Sequence, residues 1–150
     1  MVTVADLART TQVYRDVFGF TVEGETPFRA EKVERALTGL ATAEERHARG
    51  KARDSQLWLE FVEFRGVDRT PLKMKIQDRG ATRLQLRAQN IDAVVDAARH
   101  AGLAIATQGG KATPIPPNFK GALVVDPNNF FVSLFEPCDG CAPRVPPTTN

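Results

Sequence analysis

Cysteine is scarce in this chain. There are two, Cys138 and Cys141, among 150 residues, and they stand together in "PCDGC". Zinc is normally held by four ligands, and the only two histidines, His47 and His100, lack the spacing of a zinc finger. A redox CxxC opens a helix after a strand; here Pro143, Pro146 and Pro147 follow instead. The pair reads as two thiols or a small-loop disulfide in a proline-rich tail, residues 138–150, and suits either redox compartment. A dominant charge sign is lacking too. Lys and Arg number 20 against 18 Asp and Glu, for a net charge of +2, too near neutral to argue for nucleic acid. No apolar run approaches the roughly 18 residues of a membrane span. Residues 1–20 contain Asp6, Arg9, Arg15 and Asp16 and no apolar h-region, so no signal peptide is visible. The expected location is the cytoplasm, with export open if the chain is a piece of a longer protein.

What is present is ordinary globular material: 42% hydrophobic and 25% charged residues, enough for one domain with a core. A repeat lies within it. Residues 4–22 read "VADLARTTQVYRDVFGFTV" and residues 88–105 read "AQNIDAVVDAARHAGLAI". In the first, Asp6 is an N-cap residue, Leu7, Thr10, Tyr14, Val17 and Phe18 recur at helical spacing, and Gly19 is a C′ residue. In the second, Asn90, the stripe Ile91, Val94, Val95 and Ala98, and Gly102 play the same parts. Cap to glycine is thirteen positions in one and twelve in the other. The spacing predicts helices over 7–18 and 91–101.

Each half reads strand, helix, then about three strands. "MVTV" precedes the first helix and "TRLQLRA" the second; "SQLWLEFVEF" and "GALVVDPNNFFVSLFEP" close them. The last of these is apolar on both alternating faces from Phe130 to Phe135 except at Ser133, the mark of a doubly buried strand. The connector, residues 65–81, is basic, with a short strand expected at "LKMKI". Between Pro27 and Asp54, "AEKVERAL" suggests one or two helical turns. "EERHARGKA" suggests a solvated edge strand protected by charge; the alternative is an anion site built from Arg46, Arg49, Lys51 and Arg53. The prolines of "TPIPPNFKGAL" forbid a central strand. That segment reads as a stiff connection, or as a cover whose Phe119 and Lys120 reach a ligand.

The tandem units, with "D-L-x(6)-Y-x-D-x-[FL]-G-F" early and "D-P-x-x-x-F-V-x-L" late, resemble the vicinal oxygen chelate superfamily of glyoxalases, bleomycin-resistance proteins and ring-cleaving dioxygenases. The resemblance covers about residues 1–137. It implies an α+β fold of two tandem βαβββ units forming half-open barrels around a cavity, in one domain with units 1–64 and 82–137 and the connector 65–81. It also implies a divalent metal held by side chains from the first and last strand of each unit. Carried onto this chain, those positions fall at Glu60, at Arg83, at Ser133, and at a residue upstream of Met1. One carboxylate remains. Arginine does not coordinate metals and serine is a poor ligand, so no metal and no cofactor are expected. A first strand of only four residues suggests either a clipped strand or a chain that is part of something longer.

Alternation places Trp58 with Glu60, Gln85 with Arg83, Phe131 with Ser133, and Thr3 on the first strand. These seven are the expected ligand-binding residues, an aromatic wall with a few convergent polar groups. Glu60 and Arg83 either pair with each other, or Arg83 receives a carboxylate or phenolate. Trp58 reads equally well as a core aromatic. The leading function is a metal-independent protein that binds a small molecule. The alternatives are a divalent-metal-dependent lyase, isomerase or dioxygenase with an altered ligand set, or a metal-free enzyme with Glu60 as base and Arg83 as oxyanion stabiliser. Whether the chain is an enzyme stays open at this point. A homodimer is expected, because the family often completes its cavities between chains and a short first strand leaves an edge to cover.

Overall fold

The computed structural model describes residues 1–141. The chain divides into two compact units, Met1–Lys73 and Met74–Asn150. The first runs β1 (Val2–Thr3), α1 (Leu7–Asp16), β2 (Thr21–Glu23), α2 (Lys32–Thr38), β3 (Glu44–Lys51) and β4 (Trp58–Arg65). Its sheet has the order β1-β4-β3-β2, with β1 parallel to β4 and the other pairs antiparallel. The second runs β5 (Arg83–Arg87), α3 (Ile91–His100), β6 (Ala104–Ile105), β7 (Thr113–Ile115), β8 (Phe119–Val125) and β9 (Phe131–Pro137). Its sheet has the order β5-β9-β8-β6, with β5 parallel to β9 and β7 added against β8. Among the described residues this is a mixed α+β architecture of three α-helices and two mixed sheets.

The two main helices begin alike because their caps are alike. Asp6 Oδ1 accepts the N–H of Arg9 at 3.0 Å, and Asn90 Oδ1 accepts that of Ala93 at 3.0 Å. Each then buries one stripe against its own sheet. On α1, Leu7, Val13 and Tyr14 are buried, and the Tyr14 ring meets Phe18, Phe20 and Phe61 at centroid distances of 5.3, 5.3 and 4.7 Å. Thr10 and Thr11, also buried, return their hydroxyls to the carbonyls of Asp6 and Ala8. On α3, Ile91, Val95 and Ala98 are buried, each large aliphatic contributing about 1.5–3 kcal/mol.

Both helices stop short of the predicted ends, at Asp16 and His100 rather than residues 18 and 101. The difference between the two copies is absorbed there. At the end of α3, Gly102 (φ 76°) donates to Arg99 O and Leu103 to Ala98 O, a Schellman closure. At the end of α1, Gly19 (φ 71°) takes the same left-handed conformation, but the closing bond runs from Phe20 N to Tyr14 O and so encloses one more residue.

Three expectations need correction. The charged segment "EERHARGK" is β3, an interior strand between β4 and β2, not an edge. Its charges are answered across the sheet: Arg46 holds Glu63 through Nε at 3.0 Å and Nη2 at 2.7 Å, and Arg65 pairs with Glu44. No strand forms over residues 72–76; the chain there runs into a turn in which Asp78 accepts the N–H of Lys75 at 2.8 Å. Residues 113–115 do pair, as β7 on an outer position where Pro114 withholds no ladder bond the sheet needs. The "AEKVERAL" segment forms α2, which ends at Gly39 in the left-handed conformation (φ 73°). Cys138 and Cys141 are joined by a disulfide, and the remaining tail, 142–150, lies outside the described residues.

Candidate ligand-binding site

In each unit the helix covers one face of the sheet, and the other face carries the residues that the sequence singles out. Phe61 packs on Tyr14, and Glu63 Oε2 accepts the N–H of Leu7 at 2.7 Å, so these β4 residues face α1. Alternation turns Trp58, Glu60, Val62 and Phe64 away from the helix. The register sets Lys51 opposite Trp58, Arg49 opposite Glu60, His47 opposite Val62 and Glu45 opposite Phe64, with Thr3 beside Val62 from β1.

An open pocket of about 560 Å³ lies on this first-unit face, lined by Glu23, Glu31, His47, Arg49 and Glu60 among others. Glu60 finds its neighbours within its own unit: Oε1 is 3.5 Å from His47 Nδ1 and 3.9 Å from Arg49 Nε. The other ring nitrogen of His47, Nε2, is 3.0 Å from Oε1 of Glu45, a carboxylate 5% exposed. The strand at this point is pinned by Thr26, whose hydroxyl accepts the His47 N–H at 2.9 Å. Trp58 is not the core aromatic that the sequence also allowed. It is 44% exposed, with Lys51 Nζ 5.5 Å from its ring centre. Its place on the open face, two positions from Glu60, keeps it out of the helix-facing core.

The second unit repeats the scheme. Glu136 Oε2 accepts the N–H of Ile91 at 2.8 Å, which turns Val132, Leu134 and Glu136 toward α3 and Phe131, Ser133 and Phe135 away. In the parallel pairing with β5, Arg83 stands opposite Phe131, Gln85 opposite Ser133 and Arg87 opposite Phe135. Ser133 and Phe131 are buried, while Arg83 and Gln85 are exposed. Lys120, one of the two residues expected to reach a ligand from the proline-rich segment, lies on the helix side and pairs with Asp92 at 2.5 Å; Phe119 is 38% exposed. The two clamping glutamates fix the internal correspondence. Glu60 stands three residues before Glu63 and Ser133 three before Glu136, so they are equivalent positions.

Sequence reasoning missed His47 and Glu45. The signal was the alternation Glu45, His47, Arg49, Lys51. It points to the site only once the strand is placed beside β4.

The sequence profile of the Glyoxalase/Bleomycin resistance protein/Dioxygenase superfamily matches residues 1–114. The chain belongs to that superfamily. Comparison with curated proteins gave no match. Solved structures share the superfamily fold. A glyoxalase family protein from Bacillus cereus superposes with a TM-score of 0.80 at 15% identity, over 91% of this chain and 90% of that one. The fosfomycin resistance protein FosX from Listeria monocytogenes, solved as a glutamate-to-glutamine mutant with Mn(II) and a dihydroxypropylphosphonic acid, gives 0.54 at 14% identity, over 89% and 82%. TnmS3, an antibiotic-binding protein from Streptomyces, gives 0.52 at 19% identity, over 91% and 92%.

The superfamily resemblance implies a metal held by side chains from the first and last strand of each unit, positions that fall here at Glu60, Arg83 and Ser133. Arg83 is a permanent cation, Ser133 a buried neutral hydroxyl, and Glu60 already faces His47 and Arg49. Among the described residues no group of three or more His, Cys, Asp or Glu side chains is arranged to hold a metal ion. No helix among them is long and apolar enough to cross a membrane.

Proposed function

We propose that this superfamily member binds a small organic molecule without a metal, on the helix-free face of a sheet. Trp58, Glu60 and Thr3 are the proposed contacts on the first unit's face, and Arg83, Gln85, Phe131 and Ser133 those on the second unit's, each face taken by itself. The observation that carries this reading is Ser133. It occupies the position equivalent to Glu60, where a metal enzyme would want a second carboxylate, and it is buried and neutral. Exposed aromatic surface at Trp58 beside an acidic pocket with Arg49 supplies what such a ligand needs, an apolar wall with a few polar groups for orientation. The small-molecule and antibiotic chemistry in the descriptions of FosX and TnmS3 supports the same class of ligand.

Native mass spectrometry of protein purified from its own host is the direct test. A reproducible adduct of a few hundred daltons, lost in Trp58→Ala or in Arg83→Ala, is the expected result. Adduct-free protein from every growth condition would reject the reading. The working species is proposed to be a homodimer, since the edge of the first sheet at β1 is open for another chain to cover. Light scattering at micromolar concentration should give twice the chain mass.

A further inference from the structure

α2 is turned inside out. A surface helix normally sets its apolar stripe against the body of the protein and its charges in water. Here Val33 and Leu37, four residues apart on one face, are 72% and 77% exposed, and Ala36 beside them is exposed too. The polar residues are the ones turned inward: Glu34 and Arg35 are half-buried, and Arg35 Nε donates to Ala43 O at 2.8 Å. The helix buries none of its residues and so adds nothing to the core. It is also an addition to the repeat. The corresponding connection of the second unit, between β6 and β7, holds only a 3-10 turn at Gln108–Gly110.

Directly after α2 the chain forms a hollow. Leu40, Thr42, Gly66, Val67 and Asp68 line it around about 600 Å³ of open space. Its floor is fixed. The Thr42 hydroxyl donates to Gly66 O at 2.8 Å, and a Cβ on Gly66 would lie only 2.8 Å from Thr42 O. Val67 packs against Ala43, Val62 and Phe64. A convex apolar stripe and a hollow with apolar walls thus belong to one unit and are joined in sequence at Leu40. Each also carries an unused charge. Lys32, next to Val33, and Asp68, in the hollow, are exposed, and neither has an ion-pair partner among the described residues.

We propose that α2 seats in this hollow on a second copy of the chain, while the α2 of that copy seats in the hollow of the first. One surface carries both parts, so a two-fold axis lets each copy fill the other and closes the pair. Val33 and Leu37 enter against Leu40 and Val67, and Lys32 meets Asp68 across the contact. An unrelated partner would have to bring both a groove and an acid, and this chain already has both. Val33 and Leu37 alone fall short of the roughly 800 Å² per partner that a stable pair needs; the reciprocal seat supplies the contact twice and adds the rim of each hollow. The inference rests on the homodimer reading and assigns it a contact surface.

Sedimentation equilibrium of the full chain is the test, with wild type expected to be a dimer at micromolar concentration. Leu37→Lys should raise the dissociation constant at least about tenfold, the loss of one interface anchor. Lysine keeps helix propensity and suits the last turn of a helix, so the chain should still fold. Reversing one charge, in Lys32→Glu or in Asp68→Lys, should weaken the dimer at least about threefold, and reversing both should restore it. Neither position is buried, so these variants do not endanger the fold.

A wild type that stays monomeric overturns the homodimer and this contact together. A dimer that Leu37→Lys leaves as tight as wild type overturns this contact alone and leaves a homodimer formed at the β1 edge standing. Charge reversals that weaken the dimer singly but do not rescue each other overturn the meeting of Lys32 with Asp68, and with it the seat.

Discussion

The carboxylate of Glu63 accepts the backbone N–H of Leu7 at 2.7 Å, across 56 residues of chain. It thereby satisfies a first-turn donor that the Asp6 cap leaves over and answers Arg46 at the same time. Glu63→Ala should cost about 2–4 kcal/mol, because it strands a half-buried guanidinium and a helix N–H together. Glu136→Ala, which frees the Ile91 N–H and strands no buried cation, should cost about 1 kcal/mol. Urea denaturation of the two variants would rank them; equal costs would refute the difference drawn between the clamps.

Gly50 sits under the aromatic cluster of the first unit. A Cβ there would lie 2.9 Å from Phe61 Cε2 and 3.1 Å from Phe20 Cδ1. Gly50→Ala should therefore destabilise by about 1–3 kcal/mol through overpacking, despite its higher strand propensity. The denaturation midpoint reports the effect, and an unchanged midpoint would mean that the rings move aside freely.

Lys120 has its ammonium held above the usual lysine range, first by the hydrogen bond it donates to Asp92 and then by the charges of Asp92 and Glu136. A raised folded-state value gives stability that is complete below the unfolded value of about 10.4 and is lost as pH rises through the folded one. The alkaline limb of the stability curve should accordingly flatten in Lys120→Met, with no change near neutrality in its slope. The Asp92 side of the pair is open to solvent, so the effect should shrink in high salt.

Metal analysis after purification without chelator should give well under one transition-metal ion per chain. The double variant Arg83→His with Ser133→Glu restores two ligand types in the second unit and should gain zinc affinity that the parent lacks, as isothermal titration would show. Tight stoichiometric binding by the parent would mean that the ligand positions carried over from the superfamily are misplaced.

Much of the fold was legible because its signals are local. Asp6 and Asn90 announce their helices within four residues, and the stripes that follow have the helical period. The unread parts depend on partners far away in sequence. β3 contains Glu44, Glu45, Arg46, His47, Arg49 and Lys51, and by itself looks solvated. Its interior place becomes intelligible only with Glu63 and Arg65, which lie on another strand. The Glu45–His47–Glu60 row was hidden for the same reason, since a strand taken for an edge invites no search for cross-strand partners. "LKMKI" shows the converse: its alternation is strand-like, but no neighbouring strand takes it up.

The wider loop that closes α1 says where the two copies were free to differ in length. One residue more within β3 would turn the side chains that follow it in that strand to the opposite face and bring charges such as Arg49 under the helix. One more between Tyr14 and Phe20 only lengthens a hydrogen-bonded turn, and β2 still meets β3 at Val22 and Gly50 in a continuous ladder. Single-residue insertions and deletions at this joint should be silent in both sheets, which makes the helix exit, rather than any strand, the point at which chain length can drift in this architecture.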